Sequence, residues 1–194
     1  MSLLGNAKIL GGIGALLILL GIIPYAGALI GLIGFILVFV AVKYISDETK
    51  DKTIFNNFLF FFIITIVGIV LAAGISIITF IDVGGIEYFI DLQTQTLTDP
   101  MVIFEELQGF LTGVIIALLI LWVSLIVSVI FLRKSFDSIA EYTNVKWFGT
   151  SGLLFLVGAA TVIIAIGFII ILVALILMII AFFSLPDNLP AKKA

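Results

Sequence analysis

The sequence predicts an all-α integral membrane protein, a six-span helical bundle with similar N- and C-terminal helical hairpins. Three observations carry this prediction. Of the 194 residues, 63% are hydrophobic and only 11% are charged, which leaves too little polar surface for a water-soluble domain. The apolar residues form runs close to the roughly 20 residues that cross a bilayer. Lysine and arginine are confined to every second connection between those runs, as in multi-pass membrane proteins.

Turn residues and polar segments set the boundaries of the spans. Pro24 and Gly27 mark the first turn, because proline and glycine interrupt helices. The stretch SDETKDKT at 46–53 is a polar loop. Asp99 followed by Pro100 is typical of a helix N-cap with proline at the first helical position. The single transmembrane helical domain, 1–194, therefore has predicted spans at 9–23, 28–45, 54–81, 110–132, 151–165 and 168–185.

The segment at 133–149 has two interpretations. Phe136, Ile139 and Thr143 recur at helical spacing, with charged residues between them. This pattern is typical of an amphipathic helix that lies at the cytoplasmic membrane surface. A cytoplasmic continuation of the fourth span has the same pattern, and both interpretations stay open at this point.

The basic residues also predict the orientation of the chain. Cytoplasmic connections are enriched in lysine and arginine. Segment 82–109 has neither and carries six carboxylates, so we expect it to be an extracytoplasmic loop. The protein is then a cell-membrane protein with cytoplasmic N- and C-termini. The residues on which this orientation rests are Lys8, Lys43, Lys50, Lys52, Arg133, Lys134, Lys146, Lys192 and Lys193.

The uncharged run at 147–186 fits either one helix or two. One helix over 151–185 would be about 50 Å long at 1.5 Å per residue, but the hydrocarbon core is about 30 Å thick. It would also leave the two C-terminal lysines outside. Both arguments favour a hairpin that breaks near Ile166 and Gly167, although this turn has no polar residue. Five spans with one long last helix is the alternative.

An internal repeat supports the second hairpin. When 12–47 is shifted by 140 residues onto 152–187, Gly27 of the first turn falls on Gly167. Other glycine, leucine and isoleucine positions also match, although chance matches are frequent in so apolar a sequence. Both copies have the same orientation, unlike the inverted repeats of many transporters.

Small residues spaced four apart predict close helix packing in lipid. Packing within one bundle is the simpler interpretation, and a homodimer face is the alternative. The candidate packing residues are Gly27, Gly31, Gly68, Ala72, Gly109, Gly113, Ser124 and Ser128.

Residues that carry chemistry are scarce. The chain has no cysteine and no histidine. Apart from Lys43, at the end of the second span beside the polar loop, no aspartate, glutamate, lysine or arginine falls within a predicted span, which argues against proton-coupled transport. We predict no catalytic residue, no cofactor and no structural metal. Carboxylates of the outer segment form a weak candidate cation site, since hard cations prefer oxygen ligands; a solvated acidic loop is the simpler interpretation. The residues of this candidate site are Asp99, Glu105 and Glu106.

Several stretches resemble one known family. LGGIGALLILLGIIPYAGALIGLIGFILV, IFNNFL, FLRKSFDSIAEYTNV, GLLFLVGA and IAFFSLP are similar to an archaeal and bacterial membrane protein family, the nine-nine-six domain of unknown function. The resemblance covers about 8–186. It implies a small polytopic membrane protein and brings no activity and no catalytic residue.

The sequence therefore predicts a non-enzymatic multi-pass membrane protein with a structural or accessory role. We expect it to contact membrane lipids and to self-associate or join a larger membrane complex. A channel or carrier for a small neutral or apolar solute is the alternative function. The net charge of -3 gives no reason to expect a nucleic-acid partner.

Overall fold

The computed structural model describes residues 2–87, 90 and 100–190, and the regular elements within them are helical, without a strand. Six α-helices follow one another along the chain. Each of the six is long and apolar enough to cross a membrane, the fifth when counted with the short 3-10 helix that follows it. They are α1 (Leu3–Leu20), α2 (Gly27–Thr49), α3 (Lys52–Asp82), α4 (Pro100–Thr143), α5 (Trp147–Thr161) and α6 (Ile166–Phe183), with the 3-10 helix at Val162–Ile164.

The predicted all-α class with six apolar helices is confirmed, and the last apolar run forms two helices. Its break lies at 162–165, slightly before the predicted position at Ile166 and Gly167. The 3-10 helix ends at Ile164 and is followed by Ala165, which has a φ of 64° in the left-handed region, and α6 begins at the next residue. Gly167 lies inside the first turn of α6. The alternative of one long last helix is wrong.

The chain divides into two compact units. The first unit comprises Met1–Ile63 and Ile126–Ala194, and the second comprises Ile64–Leu125. The hairpins α1–α2 and α5–α6 belong to the first unit, and α1 also packs against α6. The core of the first unit is made of apolar side chains from all six helices. Its fully buried large members include Leu4, Ile45, Ile54, Phe58, Phe136, Ile139, Phe148, Phe182 and Leu185.

The two hairpins turn in the same way. Tyr25 in the first turn has a φ of 66°, and Ala165, 140 residues later, has a φ of 64°. Both are followed two residues later by a buried glycine, Gly27 or Gly167. A Cβ on Gly27 would overlap the carbonyl oxygen of Gly21, and a Cβ on Gly167 would overlap backbone atoms of α5 and its 3-10 extension. Each hairpin therefore requires a glycine at the same register position.

The second helices of the two hairpins also bury the same positions. Every buried residue of α2 except Ser46 has a buried counterpart 140 residues later, so the repeat extends to the packing face. The pairs are Gly27 and Gly167, Gly34 and Ala174, Val38 and Met178, Ala41 and Ala181, Val42 and Phe182, and Ile45 and Leu185. The predicted similarity of the N- and C-terminal hairpins is confirmed.

The segment at 133–149 continues the fourth helix rather than forming a separate one. α4 runs without a break from Pro100 to Thr143, and a short connection with Asn144 at a φ of 58° leads to α5. Phe136 and Ile139 are fully buried. The apolar face of this segment therefore packs on protein, and up to Thr143 the segment is a continuation of the fourth helix. Its cytoplasmic position stays a prediction.

Candidate functional site

The described basic residues lie towards one end of the first unit. The start of α3 meets the last part of α4 there, because the hydroxyl of Ser135 donates to the carbonyl oxygen of Ile54 at 2.8 Å. The ring of Phe148 at the start of α5 contacts Phe136 of α4 and Phe182 of α6, with centroids 5.5 Å and 5.0 Å apart. We call this end the basic end. Its described basic residues are Lys8, Lys43, Lys50, Lys52, Arg133, Lys134 and Lys146.

The α2–α3 connection is held at the basic end by hydrogen bonds. Asp51 accepts from the Thr53 hydroxyl at 2.7 Å and from the Thr53 N–H at 2.9 Å. The pKa of Asp51 is lowered from its ordinary value of 3.8, chiefly by the Thr53 hydroxyl. The buried Ser46 hydroxyl donates to the Asp51 carbonyl at 2.8 Å. Asp51 thus holds the connection between the end of α2 and the start of α3.

Buried hydroxyl groups in the first unit are bonded to the main chain. The Ser151 hydroxyl of α5 donates to the Ala174 carbonyl of α6 at 2.9 Å, and the Thr143 hydroxyl donates to the Ile139 carbonyl at 2.7 Å. Ser135 and Ser46 make the bonds given above. An unpaired buried polar group is costly, so these hydroxyls are paired with carbonyl groups. The bonds of Ser135 and Ser151 join two helices, whereas Thr143 bonds within its own helix and Ser46 bonds to the α2–α3 connection.

An open groove of about 580 Å³ lies at the basic end, beside the α4–α5 connection. It begins at the connection, follows the first turn of α5 and reaches the residue just after α6. Its lining residues are Asn144, Val145, Lys146, Trp147, Thr150 and Ser184. Trp147 is 47% exposed, and in the described part of the chain no carboxylate lies within 4 Å of the Lys146 ammonium.

The candidate packing residues occupy several different environments. Gly27 and Gly31 face Gly21 inside the α1–α2 hairpin, with a Cβ on Gly31 at an ordinary 3.4 Å from the Gly21 Cα. In the second unit, Gly68 of α3 packs so closely on Ser124 of α4 that a Cβ would overlap the serine side chain. The spacing of these residues therefore corresponds to contacts within the chain.

The remaining candidate packing residues differ in how closely neighbouring side chains approach them. Gly113 packs on Thr79 within the second unit, whereas the Cβ position of Gly109 has no atom of the described part of the chain within 4 Å. Ala72 and Ser128 are buried. The candidate cation site lies outside what the structure describes: Asp99 precedes the described part of α4, and the side chains of Glu105 and Glu106 are not described.

Sequence reasoning missed the hydroxyls that link separate helices. Ser135 and Ser151 are fully buried, and their acceptors lie 81 and 23 residues away. Ser135 follows two basic residues and therefore looks solvated. The one useful signal was Ser151 followed by Gly152, a pair of small residues that allows two helices to approach closely.

The length and the apolar character of the six helices indicate the class of the protein. Six helices of this length and apolarity fit a multi-pass α-helical membrane protein. The chain belongs to the family described as "Protein of unknown function (DUF996)", whose model matches residues 30–176. It is 32% identical over 194 residues to "Uncharacterized protein MJ1644" of Methanocaldococcus jannaschii, covering 98% of this chain and 97% of the relative. No solved structure matches the chain.

Proposed function

We propose that the protein is a non-enzymatic membrane component that self-associates or joins a larger membrane complex. The observation that supports this role most directly is the use of its buried hydroxyls. Ser46, Ser135, Thr143 and Ser151 all donate to main-chain carbonyls. A nucleophile or a transport site needs a polar group that is free to meet a substrate. These four groups are instead bonded to the main chain, and those of Ser135 and Ser151 link separate helices.

The second unit offers a surface for association. Gly109 is exposed, and among the residues that the structure describes no atom lies within 4 Å of the position that its Cβ would take. Close approach of helices in lipid favours small residues, because there is no hydrophobic driving force between apolar helices in hydrocarbon. An open glycine on α4 would allow a helix of another subunit to approach closely.

The alternative function, a channel or carrier for a small solute, receives little support from the α1–α2 hairpin. A Cβ on Gly14 would lie 2.6 Å from the Gly34 carbonyl oxygen, and a Cβ on Gly34 would lie 2.5 Å from the Gly14 carbonyl oxygen. The two backbones touch at this point, so no solute path runs between them. Water-filled or solute-binding cavities need free volume between helices.

We also propose that the basic end faces the cytoplasm, with both termini on that side. The described basic residues gather there, and cytoplasmic connections are enriched in such residues. A cysteine in place of exposed Asn188 can test this proposal, because the chain has no other cysteine. An impermeant maleimide should leave it unlabelled in sealed right-side-out vesicles and should label it after permeabilisation. Rapid labelling of sealed vesicles would refute the cytoplasmic C-terminus.

Purification of a tagged chain from its native membrane tests the association. We expect a mass above that of one chain by light scattering, or a stoichiometric partner identified by mass spectrometry. Gly109→Leu should reduce this assembly, whereas Gln108→Leu, an exposed neighbour on the same helix, should leave it intact. Lone monomers of the unaltered chain, with nothing co-purifying, would overturn the proposed role.

A further inference from the structure

The groove at the basic end lies where two helices change from apolar to polar. On one side, Lys146 precedes α5, whose first residue is Trp147. On the other side, the apolar helix α6 ends at Phe183 and is followed by Ser184. Tryptophan is enriched at the level of lipid headgroups. The groove of about 580 Å³ is therefore placed at the depth of a headgroup, and the apolar faces of both helices continue from it into the hydrocarbon.

The chemistry of the lining matches an anionic group. The Lys146 ammonium is the charged group of the lining, and the described lining contains no carboxylate. Ser184 and Asn144 add a hydroxyl and an amide as hydrogen-bond donors. The Thr150 hydroxyl already donates to the Lys146 carbonyl at 3.3 Å, so its proton is not available to a ligand in the groove.

Lys146 differs from the two basic residues that have carboxylate partners on their own helices. Lys43 is paired with Asp47, and Arg133 with Asp137, each one turn away. In the described chain, Lys146 has no such partner. Its charge can therefore pair with a ligand, and a charge-assisted hydrogen bond is about twice as strong as a neutral one.

We propose that this groove binds the phosphate headgroup of an anionic membrane lipid. Lys146 pairs with the phosphate oxygens, while Ser184 and Asn144 donate to the same oxygens or to the headgroup beyond them. The indole ring of Trp147 contacts the backbone of the lipid, and the acyl or isoprenoid chains lie along α5 and α6. Basic pockets at the ends of transmembrane helices recognise anionic headgroups in this way. The proposal requires neither the orientation nor the association proposed above.

Lipid binding to the full chain in detergent tests this proposal. The probes are dioctanoyl phosphatidylglycerol, dioctanoyl phosphatidylcholine and inorganic phosphate, with bound lipid counted by native mass spectrometry and affinity measured by thermal stabilisation. We expect the anionic lipid to bind more tightly than the zwitterionic lipid. Lys146→Gln should weaken binding of the anionic lipid about tenfold, as the loss of one charge-assisted hydrogen bond predicts.

Two control variants separate the groove from general charge attraction. Lys52→Gln removes the same charge from an exposed position at the start of α3 and should change the affinity by less than about twofold. Lys146→Arg keeps the charge and should retain binding. Equal loss in the Lys52 and Lys146 variants, or wild-type affinity in Lys146→Gln, would overturn the proposal. Equal stabilisation by inorganic phosphate and by the anionic lipid would overturn its assignment to a lipid.

Discussion

Replacement of Gly167 by alanine should destabilise the α5–α6 hairpin strongly. The new Cβ would lie 2.5 Å from the Cα of Val162 and would overlap the carbonyl oxygen of Gly158. Both obstacles are backbone atoms, so α5 and α6 have to move apart. Overpacking of this kind costs about 1–3 kcal/mol and occasionally more, and we expect about 3 kcal/mol here because no flexible side chain can yield.

A matched glycine separates this clash from the general effect of the substitution. Gly74 is helical, and nothing lies within 4 Å of its Cβ position. Gly74→Ala should therefore be neutral or stabilise by up to about 1 kcal/mol, since alanine is the better helix former.

Thermal unfolding of the detergent-solubilised chain measures both substitutions. A change of about 3 kcal/mol corresponds to a shift of roughly 6–12 °C in Tm for a chain of this size. Gly167→Ala should lower Tm by that amount, and Gly74→Ala should not lower it. If the Gly167 variant melts with the unaltered chain, the close contact between α5 and α6 is absent and the reasoning is refuted.

Three further substitutions have expected outcomes. Ser151→Ala removes the hydrogen bond to Ala174 and should cost about 1 kcal/mol in equilibrium unfolding by denaturant; an unchanged midpoint would contradict the bond. Ala165→Gly relieves a left-handed alanine and should stabilise by about 0.5–1 kcal/mol in the same assay, whereas a loss of stability would contradict the φ of 64°. The lowered pKa of Asp51 means that its stabilising effect is present above about pH 3.8 and is lost as pH falls through the lower folded pKa. Asp51→Asn should therefore show a smaller loss of Tm between pH 6 and pH 3 than the unaltered chain, and equal losses would contradict the hydrogen-bonded carboxylate.

The number of helices was predictable, but the place of the last break was not. Charge placement and bilayer thickness require two helices between 147 and 186, because both arguments concern long stretches of the chain. The break itself lies at Ala165, and alanine has no intrinsic preference for a positive φ. The prediction placed the break near Ile166 and Gly167, where Gly27 of the first turn falls in the repeat, but the small size of Gly167 serves the contact with Gly158 and not the turn.

Helical periodicity alone also could not decide between the two interpretations of the segment at 133–149. Helical spacing of apolar residues identifies an apolar face but not the partner that covers it. Phe136 is buried because Phe148 of α5 packs on it at 5.5 Å, a contact that the local pattern does not contain. The acceptors of Ser135 and Ser151 were unpredictable for the same reason, since each carbonyl belongs to another helix.

The shared orientation of the two hairpins depends on whether the number of helices between them is even or odd. Two helices, α3 and α4, separate the hairpins, and an even number of crossings returns the chain to the side from which it started. If α3 and α4 each cross the membrane once, the second hairpin enters it as the first does, and the left-handed positions Tyr25 and Ala165 belong to the same face of the bilayer. With that topology, removing α3 and α4 together should preserve this relation, whereas removing either one should invert the second hairpin and carry Lys146 across the membrane.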